Sequence, residues 1–182
     1  MKNKGQNSIR ISPARNIALV GIMAATVECA KLALAFLPNV EVVTLLLALY
    51  GYVFGYLGFA AAIVFVSIEP LIYGFNTWVV SYYLYWPLVS LVFMLLAKLK
   101  VKNRWILTLV AVILTAWFGV LTTLVDIGLL SGFFDNFAYR FAVYYARGAV
   151  FYAVQIACNA ILFPLLFHFL ANKLEKVKKQ FL

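Results

Sequence analysis

Apolar runs that reach about twenty residues recur along this chain and leave it one class of fold. In hydrocarbon every backbone N–H and C=O must be paired within the protein, so a run of that length reads as a spanning α-helix. The runs predict helices over 13–36, 41–54, 56–68, 79–96, 105–130 and 141–170. The expected fold is all-α, an integral membrane bundle of six transmembrane helices in a single domain over 1–182. Residues 1–12 would form a polar cytoplasmic tail, 13–170 the bundle and 171–182 a basic cytoplasmic tail. The second run is short, about 20 Å as a helix, and would span only with help from its neighbours. Charged residues make up 12% of the chain. Soluble domains carry about 25%, so a soluble core is excluded.

Orientation follows from where the charges fall. The net charge is +9. Twelve of the fifteen basic residues lie in three clusters of four: Lys2, Lys4, Arg10, Arg15; Lys98, Lys100, Lys102, Arg104; and Lys173, Lys176, Lys178, Lys179. Each cluster flants an apolar run rather than building one basic face, so the signature is positive-inside and nucleic acid is not an expected partner. Six spans put both termini and the loop 97–104 on the cytoplasmic side of a cell membrane. The acidic residues sort oppositely: Glu28, Glu41, Glu69, Asp126 and Asp135 fall in the outer half and only Glu175 lies inside. The polar, basic start carries no cleavage-site pattern, so the first span is expected to stay in the mature protein.

The first span carries two kinds of surface. Ala14, Ala18, Gly21, Ala25 and Cys29 are spaced four, three, four and four apart, which sets five small residues on one helical face. In lipid such a face lets another helix approach closely, whether a partner's or one of the chain's own. Further along stand Glu28 and Lys31, charges inside an apolar span that call for partners. They could pair with each other at i,i+3. Arg147 and Asp126 could pair between helices six and five. The outer half also gathers Asn39, Tyr73, Asn76, Trp78, Tyr83, Tyr85, Tyr144 and Tyr145. Aromatic rings with a few convergent polar groups suit a flat organic ligand, or form an interfacial belt. By depth and chemistry the candidate substrate-binding residues are Glu41, Tyr82, Trp86, Asp126, Asp135, Asn136, Tyr139 and Arg140.

Catalytic chemistry has little to stand on. His168 is the single histidine and lies far from the carboxylates. No Ser-His-Asp set, metal-ligand spacing or G-x-x-x-x-G-K-[ST] loop occurs, and Cys29 and Cys158 have no metal spacing. The chain is therefore expected to be non-catalytic, with no cofactor and no metal, and to depend on an ion or a partner for any uphill transport.

Taken together, about 180 residues, six spans, cytoplasmic termini and the small-residue face (Ala14, Ala18, Gly21, Ala25) resemble the S components of energy-coupling-factor (ECF) vitamin transporters. The family's contact is of Ala-x-x-x-Ala type; Ala14-x-x-x-Ala18 and Gly21-x-x-x-Ala25 match it, while Ile22 departs from it. The resemblance implies a subunit that captures a vitamin from outside and docks through helices one to three on a membrane T component coupled to two cytoplasmic ATPases. It is thought to topple in the bilayer to deliver its cargo. The stretch 37–46, Leu37-Pro38-Asn39-Val40-Glu41-Val42-Val43-Thr44-Leu45-Leu46, resembles S components associated with cobalamin. Riboflavin, pyridoxine, pantothenate or a queuosine precursor are alternative cargoes. A solitary ion-coupled carrier using Glu28 and Lys31, or a scaffold without a solute, are the alternative roles.

Overall fold

The computed structural model describes residues 13–37, 40–130, 132–133 and 135–181; the expected tail 1–12 with its basic cluster members Lys2, Lys4 and Arg10, together with Pro38 and Asn39, lies outside them. The described residues hold six α-helices and no strand: α1 Pro13–Ala33, α2 Val43–Phe54, α3 Tyr56–Tyr73, α4 Thr77–Lys98, α5 Arg104–Leu130 and α6 Phe137–Phe181. All but α2 are long and apolar enough to cross a membrane. The protein is a helical membrane bundle.

Successive helices run in opposite directions, so the connections alternate between two ends. One end holds Arg15, the α2–α3 turn, the α4–α5 connection and the end of α6. The other holds the 34–42, 74–76 and 130–137 connections, and with them Glu28, Glu41, Glu69, Asp126 and Asp135. These are called the basic and the acidic end.

The short helix α2 is the hub. Ten of its twelve residues are buried, and it packs against all five other helices. A helix of about 18 Å is too short to meet lipid along its length, but α2 meets protein instead. Its tightest contact is on α4, where a Cβ placed at Gly51 would stand 2.1 Å from the Ser90 carbonyl oxygen. That neighbour is backbone and cannot swing aside. Gly51→Ala is therefore expected to destabilise the protein by at least the ~1–3 kcal/mol typical of overpacking, read as a lower melting temperature in detergent. An unchanged melting temperature would mean that α2 and α4 are not this close.

The boundaries differ from expectation at two prolines. Helix three was predicted to stop at Glu69-Pro70, yet it continues through Pro70 to Tyr73. Only one intrahelical bond is forfeited by a proline so near the helix end. Gly74, at φ +81°, then closes the helix, its N–H donating to the Pro70 carbonyl at 3.0 Å. The presumed loop 71–78 shrinks to three residues, and α4 begins at Thr77 on the Asn76 side-chain cap, 2.6 Å from the Thr77 N–H. Helix six was predicted over 141–170 with a separate tail. It is instead one helix of 45 residues that carries Pro164 inside it, about 67 Å long at 1.5 Å per residue. The tail stays helical because it has work at its end: Lys178 Nζ donates to the Val53 carbonyl at 2.6 Å, closing the C-terminus of α2.

At the basic end α4 finishes in a Schellman motif. Lys100 N–H donates to the Ala97 carbonyl and Val101 N–H to the Leu96 carbonyl, each at 3.0 Å. The residue between helix and loop in such a motif adopts the left-handed conformation and is usually glycine. Here it is Lys100, at φ +58°, which costs a non-glycine residue about 1 kcal/mol.

Candidate functional site

The acidic end opens into a half-open cavity of about 320 Å³ between α1, the start of α2, α3, α4 and α6. Its walls mix apolar and aromatic side chains with a few polar groups, the composition of a small-molecule site.

Glu41 forms one polar wall. It stands just ahead of α2, whose first N–H groups lack intrahelical partners. Glu41 Oε2 accepts from the Thr44 N–H at 2.9 Å and Oε1 from the Thr44 hydroxyl at 2.7 Å. A carboxylate suits the positive end of a helix dipole. From the other side Asn159 Nδ2, on α6, donates to Glu41 Oε1 at 2.9 Å and reaches Thr115 Oγ1 on α5 at 3.0 Å. Asn159 is fully buried. Helices α2 and α6 therefore hold the carboxylate in one orientation on the cavity wall, with α5 steadying Asn159 from behind.

Lys31 forms the opposite polar wall. Its ammonium donates to both carboxylate oxygens of Glu69, at 2.6 Å to Oε1 and closer still to Oε2, and lies 4.1 Å from the centre of the Tyr73 ring. The expected pairing within α1 is replaced by one across to α3, because Lys31 at the end of α1 reaches over to α3. Glu28, also buried, lies against the Glu69 carboxyl and the Tyr73 hydroxyl. Two carboxyl groups thus lie together, and one of them, Glu69, holds the Lys31 ammonium.

Tyr82 and Trp86, one turn apart on α4, form the aromatic wall with Phe65 of α3. Tyr82 stacks edge-on against Trp86 at 5.6 Å between ring centres, and Phe65 meets Trp86 at 6.3 Å. The indole is 5% exposed and its Nε1–H has no hydrogen-bond partner among the described residues. An indole N–H can only donate, so a buried donor beside the cavity is left without an acceptor.

Of the residues anticipated for substrate, Glu41, Tyr82 and Trp86 line this cavity; Asp126, Asp135, Asn136, Tyr139 and Arg140 do not. Asp126 accepts from the Thr77 hydroxyl at 2.5 Å and ties α5 to the start of α4. Its supposed partner Arg147 instead lies 5.5 Å over the Tyr144 ring. Asp135 and Asn136 form the turn into α6 with positive φ, and Tyr139 is exposed. Arg140 donates to the Gly132 carbonyl at 2.6 Å. These residues shape the α5–α6 connection. Sequence reasoning missed Gln155 and Asn159, which reach the site from α6. Two amide side chains four apart in an apolar span were the available signal, since i and i+4 share a face.

Along α1 the small residues Ala14, Ala18, Gly21, Ala25 and Cys29 are all exposed, the first three of them in its basic half. A Cβ placed at Gly21 would meet nothing within 4 Å. The chain's own helices α2 and α3 pack on the other side of α1 through Met23, Ala24 and Val27.

No protein-family model, curated protein or solved structure matches this chain.

Proposed function

We propose that this chain is the substrate-capturing subunit of an ECF-type vitamin importer in the cell membrane. It would dock on a membrane T component that two ATPase subunits drive. The observation that carries this reading is the division of α1. One end of the helix lines a cavity through Lys31, and the other presents an uncovered face of small residues. A capture subunit needs both, a ligand site and a separate place to hand the ligand on. By the positive-inside rule the basic end, with both termini, faces the cytoplasm and the cavity faces out. The chain itself would be non-catalytic.

The cavity chemistry narrows the ligand. Glu41 accepts, Trp86 and Lys31 donate, and the aromatic wall receives a flat apolar body. An edge with alternating N–H and C=O groups meets both demands. The primary amides that fringe cobalamin supply such an edge, as does the imide of riboflavin. A volume of about 320 Å³ is at the small end of ligand sites. Cobalamin would therefore insert an edge and leave the rest of its ring in the mouth.

Calorimetric titration of the purified chain in detergent against a vitamin panel led by cobalamin tests the reading. Tight binding of one vitamin, without ATP or partners, is the expected result. Trp86→Phe keeps the ring and removes the donor, and should weaken that binding by about tenfold, the ~1–2 kcal/mol of a buried hydrogen bond. A folded sample that binds none of the panel would overturn the assignment.

One observation favours a second reading, that of an ion-coupled carrier. Glu28 lies beside the Glu69 carboxyl, which holds the Lys31 ammonium, a cluster that could take up one more positive charge. In that case uptake would persist without ATPase partners and collapse with the proton gradient.

A further inference from the structure

The basic end holds a second concavity, of about 710 Å³, that the capture reading does not use. It lies between the end of α2, the α4–α5 connection and the last turns of α6. Lys100 and Lys102 line it from the connection, Lys176 and Lys179 from α6, and Glu175 is the single carboxylate among its lining residues. Its floor is apolar, made of Ala97, Phe167 and Ala171. Its walls are held in place by two bonds. Tyr52 donates its hydroxyl to the Val101 carbonyl at 2.9 Å, and His168 Nε2 lies 2.8 Å from the Lys102 carbonyl. The connection is thereby fastened to α2 and α6 on either side of the lysines.

Lys100 is the second observation. It occupies the left-handed position of the Schellman motif, where glycine would be unstrained. Strain kept at one residue points to something that residue does, and what a lysine adds there is an ammonium at the rim of the concavity.

We infer that this concavity binds a phosphate-bearing anion, and specifically the headgroup of an anionic phospholipid. Four ammonium groups against one carboxylate leave a strong positive excess, and lysine takes phosphate as a point charge. The apolar floor of Ala97, Phe167 and Ala171 lies directly beneath the lysines, where the first carbons of an acyl chain can rest. Basic pockets between helices at the positive end of a membrane protein are suited to such headgroups. A soluble phosphate would satisfy the lysines but leave the floor uncovered. The inference stands on the basic end alone and does not depend on the identity of the cargo.

The test is thermal unfolding of the purified full chain in neutral detergent. Phosphatidylglycerol, phosphatidylcholine or inorganic phosphate is added in turn. Phosphatidylglycerol is expected to raise the melting temperature by several degrees and phosphatidylcholine to leave it in place. Lys100→Gly is expected to melt no lower than the parent without lipid, because the strain is relieved, and yet to lose most of the phosphatidylglycerol shift. A triple variant, Lys100→Gly with Lys102→Ala and Lys176→Ala, should lose all of it. A shift with inorganic phosphate equal to that with the lipid would keep the phosphate site and overturn the lipid as its occupant. Equal shifts from both lipids, or a shift that survives in the triple variant, would overturn the site itself.

Discussion

Gly21→Leu is expected to abolish uptake while leaving the protein folded and its ligand affinity unchanged. The fold should tolerate the change because Gly21 lies on the exposed face of α1 and a Cβ there meets no neighbour within 4 Å. Replacing a mid-helix glycine with leucine even favours the helix by up to about 1 kcal/mol. Ligand affinity should hold because Lys31, the nearest cavity residue on α1, is ten residues further on, about 15 Å along the axis. Docking is another matter. Helices in lipid associate by close van der Waals contact, without a hydrophobic force to compensate for a poor fit. A leucine in the middle of the stripe would hold a partner helix away, and each ~1.4 kcal/mol lost there is a factor of ten in complex formation. Uptake by cells and binding by the purified variant separate the two effects. If uptake persists, the stripe faces only lipid; if binding is lost, the face contributes to the cavity.

Lys31→Met is the second large effect, and here stability and binding fall together. Glu69 is 1% exposed, and the Lys31 ammonium is its ion-pair partner. Removing one partner of a buried pair leaves an uncompensated charge, at a cost of about 3–5 kcal/mol. For a chain of this size the melting temperature should drop by on the order of 10 °C. The double variant Lys31→Met/Glu69→Gln should recover most of that drop, because the stranded charge is gone. It should still bind ligand poorly, because the cavity has lost its ammonium. A Lys31→Met protein that melts with the parent would show that Glu69 does not depend on this partner.

Much of the architecture was legible because hydrocarbon permits so few solutions. Run lengths and charge sorting yielded six helices and the gathering of Glu28, Glu41 and Glu69 at one end. What the pattern could not provide is direction around each helix axis. Asp126 and Glu41 have similar depths, yet one points to Thr77 and the other into the cavity. Lys31 illustrates the same limit. Spacing suggested Glu28 as its partner, but the packing of α1 on α3 brought Glu69 within reach. Pro70 misled because a proline in the last turn forfeits a single bond, which the buried packing of α3 outweighs. Gln155 and Asn159 were visible as polar residues in an apolar span, but only the closeness of α6 to the start of α2 gives them a role.

The shortness of α2 has a consequence for how the protein is made. A segment of twelve residues is about 18 Å long, against a hydrocarbon layer of about 30 Å. As it emerges during synthesis it cannot rest alone in lipid, however apolar it is. The turn at Gly55 joins it directly to α3, so the two can enter as one hairpin, and α4 then closes over Gly51. The burial that makes α2 the centre of the finished bundle therefore also sets an order of events. The core cannot be settled until the polypeptide that surrounds it has arrived.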